Sequence, residues 1–173
     1  MTVRLGYACI NMTLQNRKPG KVTCNRGMIK RTFLLKGIPY ASQLALLNTL
    51  DLIKIIAWNN EQGIKVYRMT SSMFPWMSEY ELEDLPDYEG IKANLEYAGK
   101  LARDHGQRLS FHPGHFNILT SPTMVKLWIS WECHAIIGQR LIFTLVHLMV
   151  TDQVLLIVGA RTLNCFLALL LHV

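Results

Sequence analysis

Short apolar runs alternate with helical periodicity along the first 111 residues, and this alternation limits the fold more than any other feature. Residues 3–8 (VRLGYA), 64–69 (IKVYRM) and 108–111 (RLSF) read as strands. Residues 40–62 read as a helix, with Ser42 as its N-cap, an apolar stripe at Leu44, Leu47, Leu50 and Ile55, and Gly63 as its stop. A second helix starts at its cap Asp87 and runs to His105; it buries Ile91, Leu95, Ala98, Leu101 and Ala102 and ends at Gly106. Strand–helix–strand–helix–strand with connections of this length gives parallel strands joined by right-handed crossovers. The expected fold class is α/β, the first three strands and helices of a partial TIM (β/α) barrel. In a barrel, chemistry sits at the carboxyl ends of the strands. The polar residues that fall there are Asn11, then Ser71 and Ser72, then His112.

Charge divides the chain in two. Residues 1–122 hold 15 of the 18 Lys and Arg and 10 of the 12 Asp and Glu. After Pro122 the only charged residues are Lys126, Glu132, Arg140, Asp152 and Arg161. The expected organisation is therefore a barrel-like part, 1–122, and an apolar tail, 123–173, helical or poorly ordered. Residues 154–173 are long enough to span a bilayer, but Arg161 and Asn164 lie within them. A central arginine costs roughly 2.5–3.5 kcal/mol on insertion scales, so a membrane reading is not favoured. Residues 1–50 contain eight Lys and Arg and no acid, mostly in the long connection 15–40. Such a segment suits a polyanion, and it equally suits a solvated basic loop. Cys9, Cys24, Cys133 and Cys165 show no metal-type spacing and read as reduced thiols of an intracellular protein. There is no P-loop, dinucleotide fingerprint, nucleophile elbow or kinase signature.

Several residues could carry chemistry, each with a plainer alternative. His112, at a strand end in an HPG turn, suits a metal ligand or general base, or a loop-capping imidazole. Glu79 follows the second strand and could face the same site, yet it stands in an acidic run with Glu81, Glu83 and Asp84. Tyr7 and Asn11 flank the first strand end, where core packing and turn formation also explain them. His115 and Phe116 form a polar–aromatic pair that could wedge into a nucleic-acid stack, or Phe116 could pack inward.

Four stretches taken together narrow these alternatives: RLGYACINMTL at 4–14, NRGMIKRTFLLKGIPYASQLALLN at 25–48, YRMTSSMFPWMSEYELEDLPDY at 67–88 and QRLSFHPGHFNILTSP at 107–122. They resemble the UV damage endonucleases, the UvdE family, over nearly all of residues 1–122. The resemblance implies a TIM-barrel DNA-repair enzyme that nicks the backbone 5′ to ultraviolet photoproducts with divalent metal ions, manganese above all. Its partner would be double-stranded DNA carrying a lesion, acted on inside the cell with no obligate protein partner. His112 matches a family metal ligand. Glu79 stands where many members carry a histidine ligand, and a carboxylate can still bind a hard cation there. Tyr7 and Asn11 match residues near the flipped lesion. His115 and Phe116 stand where many members have the Gln–Tyr pair that fills the gap left by the damaged bases. Arg26 in the second motif is the expected DNA contact of the basic segment.

The resemblance stops after Pro122, where family members continue with most of their metal ligands. Codon degeneracy allows KLWISWECHAIIGQ to lie one reading frame away from ALDILGMPCNHWG, which does resemble the family, so a single-nucleotide shift after Pro122 is the favoured account. Three strands cannot close a barrel, and no incision by the chain as it stands is expected. Two other functions stay open: a non-enzymatic nucleic-acid binder acting through the basic segment 17–36, and another metal-dependent TIM-barrel enzyme such as a sugar isomerase or abasic-site endonuclease.

Overall fold

A computed structural model describes residues 3–111 and 136–138. The elements in order are β1 (Gly6–Ala8), α1 (Met12–Gln15), α2 (Lys30–Glu61), β2 (Val66–Met69), α3 (Tyr88–Asp104) and β3 (Arg108–Phe111). All belong to one compact unit, Met1–Leu141. The strands lie parallel in the order β1-β2-β3, as the alternation requires. Their register aligns Tyr7, Tyr67 and Leu109 in one row, with Gly6, Val66 and Arg108 before it and Ala8, Arg68 and Ser110 after it.

Side chains of a strand alternate between faces, so the rows alternate too. Tyr67, Met69, Leu109 and Phe111 enter the core with Leu52, Ile55 and Ile56 of α2 and Ile91, Leu95 and Ala98 of α3. The opposite face carries Gly6, Ala8, Val66, Arg68, Arg108 and Ser110, none of them buried. Helices covering one face of a parallel sheet are what the first three units of a (β/α) barrel provide, with the other face turned towards the barrel axis. Ile137 is fully buried in the same core. Arg103 of α3 donates to its carbonyl at 2.6 Å, and a side chain at Gly99 would collide with that carbonyl. The rest of the expected tail lies outside the described residues. Among those described, no helix is long and apolar enough to cross a membrane.

The helix expected over 40–62 is present, and a separate helical stretch precedes it within Lys30–Glu61. Residues 30–36 already turn helically inside the expected loop 15–40, and Gly37 (φ 62°, ψ −159°) then breaks the run before Pro39. That conformation is essentially open to glycine alone. Ser42 is therefore inside α2 and is not its N-cap. Its hydroxyl instead donates to the Asp87 carboxylate at 2.7 Å and accepts the Asp87 N–H at 2.9 Å, tying α2 to the entry of α3. Asp87 accordingly makes no side-chain bond to its own helix. The expected stripe also shifts. Leu47 and Leu50 are exposed, at 46% and 40%, while Ala41, Leu44, Ala45, Leu52, Ile55 and Ile56 are buried. Asn48, Asp51 and Asn59 share that buried face, which is why apolar spacing alone misplaced it.

Gly6 lets β1 approach β2: a Cβ there would sit 2.5 Å from both the Val66 Cβ and the Val66 carbonyl oxygen. Gly6→Ala is expected to destabilise the fold by about 1–3 kcal/mol, the usual cost of overpacking. Gly27, with open space around its Cβ position, should accept alanine with no loss. Urea midpoints of the two variants measure the contrast, and equal midpoints would exclude this account of Gly6.

Candidate functional site

Of the polar residues expected at the strand carboxyl ends, Asn11 joins a chain of hydrogen bonds that runs through Tyr7 to α2, while Ser71 and Ser72 lie in the separate turn Ser71–Met73. Just beyond β1, Cys9 takes a left-handed turn (φ 61°). Its N–H donates to the Arg68 carbonyl at 2.7 Å, and its carbonyl accepts the Tyr67 hydroxyl at 3.0 Å. The turn leads to Asn11, which N-caps α1 by accepting the Leu14 N–H at 2.9 Å. The Asn11 amide donates to the Tyr7 hydroxyl at 2.8 Å, and that hydroxyl donates to Asn59 Oδ1, also at 2.8 Å. Tyr7 and Tyr67 lie with ring centroids 5.0 Å apart. Burial raises the Tyr7 phenol above its ordinary pKa, and the bonds to Asn11 and Asn59 offset only part of this. The ring is therefore a neutral surface. The buried Cys24 thiol is also pushed up, mainly by desolvation, which makes it an inert core group. Asn59 Nδ2 is buried beside this chain with no partner among the described residues.

The connection between β1 and α2 is held just as firmly. Asp51 of α2 is 3% exposed. It accepts the Thr23 N–H at 3.1 Å, the Arg26 guanidinium at 2.5 Å and the Lys54 ammonium at 2.8 Å. Burial is the largest single influence on its carboxyl and opposes ionisation, but the bonds from Lys54, Arg26 and Thr23 together outweigh it and hold the pKa below the usual carboxylate range. Asn48, one turn earlier, accepts the Arg26 N–H and donates to the carbonyls of Arg26 and Met73. It thus links this connection to the loop after β2. Asn25 accepts the Thr70 hydroxyl at 3.3 Å, a second link between the two.

Arg26 therefore faces a structural carboxylate, where the sequence suggested a DNA contact. Glu79 is exposed on the turn Met77–Glu79, with the Ser78 hydroxyl donating to it at 3.0 Å. Among the described residues no three His, Cys, Asp or Glu come together as a metal site. A hard divalent cation needs several donors, so Glu79 could contribute one carboxylate but could not hold the ion alone. His112, His115 and Phe116 lie outside the described residues. Sequence reasoning missed Asn48, Asp51 and Asn59; the available signal was polar residues recurring on the face of α2 that Leu44 and Ile55 mark as buried.

With this geometry in place, kinship is informative. The family model described as UV-endonuclease UvdE matches residues 3–129. A UV-damage endonuclease of Schizosaccharomyces pombe is 37% identical over 122 residues, 70% of this chain and 20% of that protein. A UV DNA damage endonuclease of Halalkalibacterium halodurans is 26% identical over 121 residues, 70% of this chain and 38% of that protein. The chain thus spans between a fifth and two fifths of the length of these relatives. Among solved structures, the crystal structure of SacUVDE superposes with a TM-score of 0.68 at 18% identity, covering 81% of this chain and 47% of that one, and shows the same fold.

The Asp51 cluster gives a prediction independent of that kinship. Because the folded carboxyl is held below its ordinary pKa, its stabilising contribution is complete above about pH 4 and is lost as the pH falls through the folded value. Asp51→Asn should cost about 2–3 kcal/mol at neutral pH, the range for hydrogen bonds to charged groups. The gap to wild type should narrow at pH 3. Chemical denaturation at the two pH values measures it, and a gap of constant size would rule out a stabilising charge at Asp51.

Proposed function

We propose that this chain, which belongs to the UV-endonuclease UvdE family, forms one wall of a DNA-repair endonuclease site that nicks the phosphodiester backbone 5′ to an ultraviolet photoproduct. The observation that carries this reading is the Asn11–Tyr7–Asn59 chain, whose Tyr7 and Asn11 lie inside the first motif that resembles the family. An enzyme acting at a damaged base takes it out of the stack and receives it against an aromatic or apolar surface. The half-buried Tyr7 ring, held at its hydroxyl from two sides, offers such a surface. The substrate is double-stranded DNA with an ultraviolet lesion, and the place of action is intracellular.

Hydrolysis by a divalent metal, manganese foremost, belongs to the same proposal, with His112 and Glu79 among the ligands and further donors from outside the described residues. A bound metal would generate hydroxide and neutralise developing phosphate charge. His115 and Phe116 are proposed to contact the lesion with Tyr7 and Asn11. The alternative of a binder using the basic segment draws support from Arg17, Lys18, Lys21, Lys30, Arg31 and Lys36, all exposed. Both readings require DNA, and they differ on damage.

The chain should bind an ultraviolet-irradiated duplex more tightly than the same duplex unirradiated. Tyr7→Ala should reduce that preference roughly tenfold, in line with the value of one base–aromatic stack, with its fold checked by circular dichroism. Competition binding with the two duplexes reads this out. Equal affinity of the wild-type chain for both would leave only the non-specific binder.

A further inference from the structure

We propose that the outward face of residues 30–36 is a second duplex-DNA contact, in which Lys30 and Arg31 take backbone phosphates while Leu34 and Leu35 press against the apolar walls of the minor groove. The inference rests on the DNA-binding reading above and adds a surface to it.

The segment is set apart from the rest of α2. It starts after the extended Ile29 and ends at the Gly37 break, so its direction is its own. It is also anchored. The Phe33 ring stacks on Trp76 with centroids 5.7 Å apart and planes 20° from parallel. The Trp76 indole N–H donates to the Met28 carbonyl at 2.9 Å. Trp76 lies in the loop that follows β2, so the helical turn sits on the carboxyl-end side of the sheet, the side that carries Tyr7 and Asn11.

Its other face has no cover among the described residues. Leu34 is 73% exposed and Leu35 77%, and Lys30 and Arg31 are exposed with them. Residues 30, 31, 34 and 35 share one helix face, so cations and leucines are interleaved on it. Charge selects the partner. No acid occurs in the first 50 residues, and among the described residues neither Lys30 nor Arg31 has an ion-pair partner. Lys36, on the other side of the turn, lies with its Nζ over the Tyr40 ring, 4.1 Å from its centroid. A helix that lies on a membrane separates its charged face from its apolar face and commonly runs 20–30 residues. Here the two kinds of side chain alternate over two turns. That arrangement fits a surface on which charged and apolar strips alternate at close spacing. Duplex DNA is such a surface, with phosphates flanking the sugar walls of a groove into which apolar wedges are inserted.

The test uses the whole 173-residue chain and a fluorescently labelled undamaged duplex, with anisotropy read across a sodium chloride series. The variant L34S/L35S removes exposed side chains only, and an unchanged urea midpoint confirms its fold. It should bind roughly fivefold more weakly at every salt concentration, with the slope of log affinity against log salt unchanged, because no phosphate contact is lost. The variant K30Q/R31Q should make that slope shallower by about 1.8, at roughly 0.9 per phosphate contact. Wild-type affinity in L34S/L35S, or an unchanged slope in the lysine–arginine variant, would overturn the proposal while leaving damage recognition standing. Tighter binding to phosphatidylserine vesicles than to duplex, lost in L34S/L35S, would overturn it in favour of a membrane. Absence of duplex binding by the wild-type chain at any salt would remove the proposal and the reading beneath it together.

Discussion

A single buried carboxylate organises the rim of this sheet. Asp51 sits in the middle of α2 and is almost fully covered; a lone charge there would be strongly destabilising. It is tolerated because the β1–α2 connection brings it a backbone N–H from Thr23 and a guanidinium from Arg26, and α2 itself adds Lys54. The dependence runs both ways. Without Asp51 the connection would keep Arg26 close to buried surface with no counter-charge among the described residues, and the Thr23 N–H would lose its acceptor on the helix. With it, a basic segment of low apolar content becomes a fixed part of the fold, and the next loop is tied to it through Asn48 and Asn25.

This constraint explains what could be read in the sequence and what could not. The strands at 64–69 and 108–111, the parallel order and the helix after Asp87 follow from apolar periodicity, which tertiary packing preserved because those elements bury aliphatic faces. The helical stretch 30–36 before the Gly37 break did not follow. Gly37 and Pro39 are ordinary loop signals, and the charges of 30–36 look like solvated turn residues. That stretch is held by the packing of Phe33 on Trp76, a contact 43 residues away along the chain. Long-range pairs of this kind leave no local pattern.

The site divides along the same line. Tyr7 and Asn11 were legible as a pair because both sit at a strand end, and the fold does join them. Arg26 looked like part of a polyanion surface because its carboxylate lies 25 positions on and carries no motif. Asn48, Asp51 and Asn59 were hidden for the opposite reason. Polar residues spaced three or four apart on a helix normally mark its solvated side, whereas here they point into the molecule and hold the loops in place.

The bonding of Tyr7 also limits what this wall can recognise. Its hydroxyl has one proton, given to Asn59, and it accepts from Asn11. Burial keeps the phenol neutral, so at ordinary pH it can supply no charge and release no proton to a ligand. Asn11 has spent its carbonyl on the Leu14 N–H. Asn11 is itself buried, so what a ligand can meet is chiefly the half-buried ring of Tyr7. Such a surface discriminates by stacking and shape more than by hydrogen-bond pattern. For the proposed role at a damaged base, stacking is the relevant property, since the cost of extruding a base is least where stacking is already lost.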